Sequence, residues 1–303
     1  MLPVSSSRWR RLWLTALSIM ACLLLPLAAL AAEHGAVQPG KKAILLVSFG
    51  TSVPQARQVF AKIEDAAKAR FPGVEVRWVF TAKKIRHKLA QEGQVILAPA
   101  QALANLAEDG YTQVAVQSLH IIPGEEFEDL KETARRFAGM PKGLKQVEVG
   151  PPLLMSSEDM QRVARAMLTH APKERRPQEA LVFIGHGTPH QANAVYAAMA
   201  YHLQKLDPHT SLATVEGFPS LEAVQQELKA RGNKKAWLIP LMSVAGDHAQ
   251  NDMAGKEADS RASRLGQAGI DCQPVLKGMA EYPEVVALWM EHLQQAWDRL
   301  GKE

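Results

Sequence analysis

The chain runs twice through the same alternation, in which a short apolar segment is followed by an amphipathic helical segment. Strands are predicted at residues 43–47, 74–80, 113–118, 147–150, 180–184, 212–215, 236–241 and 272–276. Strands that alternate with helices favour parallel sheets whose two faces are covered by those helices. The predicted fold class is therefore α/β, with two pseudo-symmetric domains of flavodoxin or Rossmann type whose parallel sheets face a central cleft.

The sequences at two predicted strand ends of the N-terminal half recur at two strand ends of the C-terminal half. The matching segments are 46–51 with 183–188 and 118–126 with 240–248. In these matches Phe49 stands where His186 stands, and Glu126 stands where His248 stands. Two similar halves of this kind predict a cleft between their strand ends, which is where ligands bind in open α/β sheets.

Residues 1–31 have the pattern of a secretory signal peptide. Three arginines precede an apolar core at residues 12–27, and residues 29–31 form a small-x-small cleavage site. A membrane anchor is one alternative, but the apolar stretch is short and runs into the cleavage site. Lipoprotein processing at Cys22 is another, although the apolar run continues past that residue. We expect cleavage near Ala31, a periplasmic location and no stable membrane span after processing.

Removal of that segment leaves a nearly neutral chain. The sequence has 35 basic and 31 acidic residues, and because three of the basic ones lie in residues 1–31 the balance becomes 32 to 31. This gives no electrostatic case for nucleic acid as a partner. Cys272 is then the single cysteine, so no internal disulfide is expected. The N-terminal half is predicted at residues 42–155 and the C-terminal half at 156–303, and packing of the last helix on the N-terminal half is left open.

Three polar side chains are expected at strand ends of the C-terminal half. His186 stands between two glycines after the first strand, Glu216 ends the second strand, and His248 lies in the loop after the third. If these strands are neighbours, they lie about 5 Å apart at one edge of the sheet. Two imidazoles and one carboxylate suit a divalent metal site with an open position, for Co, Fe, Ni or Zn. The alternative is a polar cleft without a metal.

Other chemistries find little support in the sequence. It has no Gly-x-Ser-x-Gly elbow, no phosphate-binding loop and no Gly-x-Gly-x-x-Gly motif. His190 is a candidate partner of the metal ligands. His120 mirrors Met242 and either lines the cleft or is a core histidine.

Four segments carry a family resemblance: 45–52, 117–126, 183–188 and 246–253. Together they resemble the anaerobic sirohydrochlorin cobaltochelatases, which belong to the class II chelatases alongside protoporphyrin ferrochelatase. The resemblance covers essentially all of residues 42–300. It implies two pseudo-symmetric chelatase-like domains with a tetrapyrrole cleft between them. It also implies metal insertion without ATP, with sirohydrochlorin or a related tetrapyrrole as partner, Co²⁺ as the substrate metal and Fe²⁺ as an alternative.

The resemblance also implies roles for individual residues. His186 and His248 correspond to the metal-handling, catalytic histidines of the family, and Glu216 to its acidic metal ligand. The residues expected to bind the tetrapyrrole are Ser48, Phe49, Gly50, Thr51, Glu125 and Thr188. One departure is the signal peptide, which cytosolic members lack, and it leaves the physiological metal and tetrapyrrole open.

Rival functions follow from that departure. An exported metal- or haem-binding protein without turnover has the same two lobes and signal peptide, but it does not need an open His/Glu/His set at strand ends. A zinc hydrolase would need a water-activating base beside the metal. A sirohydrochlorin ferrochelatase and a homo-oligomeric assembly are also left open.

Overall fold

Two four-stranded parallel sheets with the same strand order organise the described chain. We use a computed structural model that describes residues 40–302, so the signal-peptide prediction for residues 1–31 lies outside the described residues. The first sheet has the order β2-β1-β3-β4 and the second has the order β6-β5-β7-β8. This confirms the α/β class and the duplication that the sequence predicts.

The strands are β1 (Lys42–Ser48), β2 (Glu75–Phe80), β3 (Gln113–Ser118), β4 (Gln146–Gly150), β5 (Ala180–Gly185), β6 (Thr210–Thr214), β7 (Lys235–Leu241) and β8 (Asp271–Pro274). The helices are α1 (Pro54–Arg70), α2 (Lys83–Gln91), α3 (Pro99–Glu108), α4 (Glu125–Phe137), α5 (Ser157–Thr169), α6 (Ala194–Leu206), α7 (Leu221–Ala230), α8 (Arg261–Gln267) and α9 (Pro283–Arg299). Short 3₁₀ turns at Gln191–Asn193 and Met279–Glu281 and a π-helical turn at Ala249–Met253 complete the order.

The central strands β1 and β5 are apolar because helices cover both of their faces. Side chains alternate between the two faces of β1: Ile44 and Leu46 pack in one core cluster, whereas Leu45 and Val47 pack in another. All six residues of β5 are buried. A continuous apolar run of this kind is what a doubly covered parallel strand requires.

The last helix crosses from the second half to the first. Helix α9 follows β8 in the chain but packs on β3 and β4 of the first sheet. Its Trp289 and Leu293 are fully buried and belong to the same core cluster as Ile44 of β1 and Phe183 of β5. One hydrophobic core therefore includes residues of both sheets.

The helical pattern over residues 84–106, which the sequence breaks around Gly93, is two helices, α2 and α3, because the chain turns at Gly93 (φ +78°) and Pro99 begins a new helix. The structure differs from the sequence prediction in two local places. The helical stretch around residues 253–265 is a π turn followed by the short α8. Strand β6 ends at Thr214, so Glu216 lies in the loop beyond the strand. Among the helices of residues 40–302, none combines the length and the apolar character needed to span a membrane.

Candidate metal-handling site

In each half, the two residues that follow the second strand donate backbone hydrogen bonds to the end of the first strand. The pattern is the same in the two halves. The bonds are Thr81 N–H to Ser48 O and Ala82 N–H to Phe49 O in the first half, and Val215 N–H to Gly185 O and Glu216 N–H to His186 O in the second. Phe49 is thus the structural counterpart of His186, as the sequence repeat indicates. The pairing also makes Ala82 the counterpart of Glu216.

The ends of β3 and β7 are equivalent in the same way. The backbone bonds are Leu153 N–H to His120 O and Leu154 N–H to Ile121 O in the first half, and Met279 N–H to Met242 O and Ala280 N–H to Ser243 O in the second. The two halves meet at these ends, because the Ser243 hydroxyl donates to the Leu119 carbonyl at 2.7 Å. Thr51 and Gly246 also lie together, since a Cβ on Gly246 would be 2.9 Å from Thr51 Oγ1.

His186 is placed by a turn that only glycine permits. Gly187 has φ +81°, and a Cβ on it would lie 1.4 Å from the Glu216 carbonyl oxygen. The missing side chain therefore lets the loop after β6 reach the turn after β5. The buried Tyr196 of α6 packs against the same turn, because its ring occupies the space that a Cβ on Gly185 would need.

Tyr196 also anchors the turn through its hydroxyl. Burial raises the pKa of Tyr196, and hydrogen bonds from the backbone N–H groups of Gly187 and His186 partly offset that rise. The phenol is therefore neutral at physiological pH and serves as a hydrogen-bonding support.

The structure brings His186 and His248 together. Strand β5 lies between β6 and β7 in the sheet, as the sequence argument required, so the loops after β5 and β7 are adjacent. The two Nε2 atoms are 3.1 Å apart and the rings are nearly perpendicular, at 89°. Two nitrogens bound to one first-row metal ion at about 2.0–2.1 Å are separated by roughly 3.0–3.4 Å. The pair therefore has the spacing of two ligands of a single ion.

Each Nδ1 atom of the two rings has its own hydrogen-bond partner, and these partners orient the rings so that the Nε2 atoms face each other. His186 Nδ1 lies 2.9 Å from the carbonyl oxygen of Gly187, and His248 Nδ1 lies 2.5 Å from Asp252 Oδ2. A carbonyl and a carboxylate only accept, so each Nδ1 carries the hydrogen. The two Nε2 atoms then face each other, an arrangement that favours a shared proton or metal cation between them.

Glu216 does not complete this pair in the structure. Its backbone is bonded to His186, but its side chain is exposed and has no hydrogen-bond or ion-pair partner within residues 40–302. In the same part of the chain, no cluster of three or more His, Cys, Asp or Glu side chains is arranged to hold a metal ion. The observed site thus consists of two imidazoles, and a role of Glu216 as third ligand stays a prediction.

The expected tetrapyrrole-binding residues lie at the strand ends of both halves. Thr51 and Thr188 occupy equivalent turns, in which each hydroxyl oxygen accepts a backbone N–H two residues on, from Val53 and His190 respectively. Each threonine therefore keeps its own O–H as a free donor. The turn at Thr51 and the turn at Thr188 are therefore equivalent in the two halves.

The remaining expected residues differ in exposure. Ser48 is buried, and its hydroxyl lacks a hydrogen-bond partner among the residues that the structure describes. Phe49 is 41% exposed, and Glu125 is exposed at the start of α4. Gly50 has φ +98°, and a Cβ there would overlap the ring of Phe80. Their role in binding stays a prediction.

Sequence reasoning missed several residues that support the site. Asp252 is the main one, and its signal was its position four residues after His248, which places both side chains on one helical face. The contact of His190 was missed as well: its Nε2 lies 3.4 Å from Glu128 Oε2 on α4, so this ring pairs with the first half of the molecule.

His120 is a buried histidine rather than a second metal ligand. It is 8% exposed, and its two ring nitrogens lie 2.9 Å from Ser118 Oγ and 3.4 Å from Thr81 Oγ1. Burial lowers the pKa of His120 to about 4, so the ring is neutral at physiological pH. Of the two alternatives the sequence left open, the buried one agrees with this exposure.

Two separate parallel sheets of the same strand order, which meet at their strand-end loops, match the two-domain fold of the class II chelatases. The structure of SirB from Bacillus subtilis with Fe³⁺ has a TM-score of 0.56 at 19% identity, covering 86% of this chain and 98% of that one. The structure of CbiX, described as the terminal enzyme of sirohaem biosynthesis in denitrifying bacteria, has a TM-score of 0.55 at 20% identity, covering 84% and 99%. At these identities the likeness concerns the fold.

Sequence similarity identifies the family within that class. The family model described as cobalt chelatase (CbiK) matches residues 42–298, and the chain belongs to this family. A protein of Nitratidesulfovibrio vulgaris named sirohydrochlorin cobaltochelatase CbiKC is 44% identical over 259 residues, which are 84% of this chain and 90% of the relative. A sirohydrochlorin cobaltochelatase of Salmonella typhimurium is 38% identical over 266 residues, which are 87% and 99%.

Proposed function

We propose that this protein is a sirohydrochlorin cobaltochelatase, a lyase that inserts Co²⁺ into sirohydrochlorin without ATP. The observation that carries the proposal is the pair of Nε2 atoms of His186 and His248, 3.1 Å apart at the strand ends of one sheet. Membership of the cobalt chelatase family and two relatives of that name support it. The activity belongs to tetrapyrrole biosynthesis on the route to cobalamin.

The paired imidazoles suit the delivery of an ion better than its retention. Two neutral nitrogen ligands replace two waters of the entering Co²⁺ and leave its other positions open, so the ion can pass on to the macrocycle. His248 has a side chain that is 41% exposed, which leaves the pair accessible to the ion and to a ring nitrogen. A site closed by four protein ligands would hold the ion instead.

The same nitrogens can take up a proton once the ion has left them. Insertion replaces two pyrrole N–H hydrogens by one divalent ion, so two protons must leave the macrocycle. An Nε2 lone pair that has given up the ion faces the macrocycle as an acceptor, and Asp252 stabilises the positive charge that then develops on His248. The two Nε2 lone pairs therefore provide one acceptor for each of the two protons at the place from which the ion departs.

We assign Glu216 as a third ligand that joins when the ion is present. Its backbone N–H is fixed to the His186 carbonyl at 2.8 Å, so rotation of the side chain alone is needed to turn the carboxylate towards the pair. An anomalous difference map of crystals soaked in Co²⁺ tests this. We expect Co–N distances of about 2.0–2.2 Å to both histidines and a Glu216 oxygen in the same shell. An ion held elsewhere, or by one histidine only, would contradict the assignment.

The free hydroxyl donors of Thr51 and Thr188 are proposed to bind carboxylates of the tetrapyrrole. They occupy equivalent positions in the two halves, so donors come from both sides of the cleft. Phe49, at 41% exposure, offers an apolar contact for the macrocycle on the side opposite His186. Ser48, Gly50 and Glu125 are proposed to belong to the same surface.

The test of the function is anaerobic incubation of the full chain with sirohydrochlorin and either Co²⁺ or Fe²⁺, followed through the absorbance of the macrocycle. We expect insertion of Co²⁺, and comparison of the initial rates decides between a cobaltochelatase and a ferrochelatase. If neither ion is inserted although the tetrapyrrole binds tightly, the protein is a binding protein without turnover. N-terminal sequencing of protein recovered from the periplasm tests the proposed export, for which we expect a start near Ala32.

A further inference from the structure

Asp252 lies against the outer nitrogen of His248. It belongs to the π-helical turn Ala249–Met253, and its Oδ2 is 2.5 Å from His248 Nδ1. The turn is firmly seated, because Ala249 and Met253 are fully buried in the core cluster of the second half. A π turn of this kind widens a helix by one residue and is frequent at functional sites. Here it brings the carboxylate to the ring.

The two histidines of the pair are oriented by different means. His186 donates its Nδ1 hydrogen to the backbone carbonyl of Gly187, a group that no substitution removes. His248 depends on a side chain, because its Nδ1 partner is the carboxylate of Asp252. A carboxylate that accepts from one ring nitrogen holds the ring in place and leaves the other nitrogen as the ligand.

We propose that Asp252 is a positioning residue for metal binding, which holds His248 with its Nε2 lone pair directed at His186. This inference rests on the proposed function of the His186–His248 pair. It identifies Asp252 as the residue that keeps His248 able to bind the ion. Asp252 does not itself touch the ion. A side chain at this position that cannot accept from Nδ1 leaves the imidazole free to turn and to place its hydrogen on Nε2, where it blocks coordination.

A nearby acid provides a matched control. Asp247 is adjacent to His248 in the chain, but its Oδ1 accepts from the Asn251 side-chain amide at 2.9 Å instead of from a ring nitrogen. Replacing Asp247 by Asn removes the same negative charge from the same loop. A general attraction of cations by the loop is thereby separated from orientation of the ring.

The experiment measures Co²⁺ binding to the full chain without tetrapyrrole, by calorimetry and by the visible absorption of bound Co²⁺. We expect D252A to weaken binding by about 10–100-fold. D252N should lose less, because its amide oxygen can still accept from Nδ1. D247N should stay within about twofold of the wild type. Thermal unfolding of each variant checks that the fold is retained, and D252N serves as the second variant if D252A does not fold.

Turnover gives a second readout that general damage to the fold would not reproduce. In the insertion assay D252A should raise KM for Co²⁺ with little change in KM for sirohydrochlorin. Wild-type affinity for Co²⁺ in D252A, or equal losses in D247N and D252A, would overturn the proposal. If the wild type inserts no metal but D252A still loses Co²⁺ affinity with D247N intact, the proposed function fails and the positioning role stands.

Discussion

The two halves of the molecule have the same backbone at the cleft and different side chains on it. Equivalent hydrogen bonds place Phe49 and Ala82 in the first half where His186 and Glu216 stand in the second. An exposed phenyl ring and a methyl group cannot bind an ion, whereas an imidazole and a carboxylate can. The backbone at the strand ends therefore supplies only positions, and the side chains of the second half make that half the candidate metal site.

The turns that follow β1 and β5 differ in what fills the space beside their glycine. Next to Gly50 that space holds the ring of Phe80, and next to Gly187 it holds the backbone carbonyl of Glu216. A side-chain ring can rotate away, whereas the Glu216 carbonyl moves only if the backbone of a loop that is hydrogen-bonded to His186 through the Glu216 N–H moves with it. The second half is therefore the more tightly constrained of the two at the point where the ion is expected.

The largest expected effect comes from removing the imidazoles that distinguish the second half from the first. His186→Ala and His248→Ala should each lower the rate of Co²⁺ insertion by roughly 10²–10⁴-fold, because ion delivery and proton removal both use these rings. Tetrapyrrole binding should fall much less. Phe49→Ala is the matched change in the first half, and it should alter tetrapyrrole binding without changing Co²⁺ affinity. Equal losses of Co²⁺ affinity in all three variants would contradict the assignment of the metal to one half.

A smaller effect is expected from Gly187→Ala, which tests the constraint on the turn. The variant combines a positive φ with the overlap on Glu216, and the comparison is Gly110→Ala, which has φ +80° with open space around it. A left-handed alanine costs about 1–2 kcal/mol, and the overlap adds about 1–3 kcal/mol. Chemical denaturation should show the larger loss for Gly187→Ala, together with reduced insertion. Equal destabilisation would mean that the loop after β6 gives way freely.

The smallest effect concerns His120, whose counterpart in the second half is Met242. Because burial lowers its pKa from 6.5 to about 4, the unfolded chain binds more protons than the folded one between these values. Stability should therefore fall by about 1.4 kcal/mol per pH unit as pH drops from 6.5 towards 4. His120→Met removes this slope and leaves the Ser118 hydroxyl without its partner, a cost of about 1–3 kcal/mol.

Unfolding midpoints at pH 7.5 and pH 5.0 measure that effect. His120→Met should be less stable than the wild type at pH 7.5. The difference in the free energy of unfolding between the two proteins should shift by about 2 kcal/mol in favour of the variant at pH 5.0. If both proteins lose the same stability on acidification, His120 is protonated in the folded state and the buried description is wrong.

The sequence was sufficient for features that recur along the chain. Alternating apolar and helical segments predicted both sheets, and the glycines around His186 predicted an imidazole at the end of β5. The match between residues 46–51 and 183–188 predicted the equivalence of Phe49 and His186, which the backbone hydrogen bonds confirm. These inferences depend on local periodicity and on chain order, which a sequence displays directly.

What the sequence did not reveal depends on packing across the chain. Strand β6 ends one residue earlier than predicted, so Glu216 belongs to a loop whose conformation no periodicity records. Asp252 acts through a π turn, which has no pattern of its own.

Helix α9 has a consequence for the order in which the protein can be made. Its residues are synthesised after the whole of the N-terminal half, yet they cover β3 and β4 of that half. Until they arrive, the apolar surface that Trp289 and Leu293 will bury on the N-terminal half stays exposed, because its covering helix does not yet exist. The N-terminal half therefore cannot complete its core until Pro283–Arg299 have been synthesised, although its own last strand ends at Gly150.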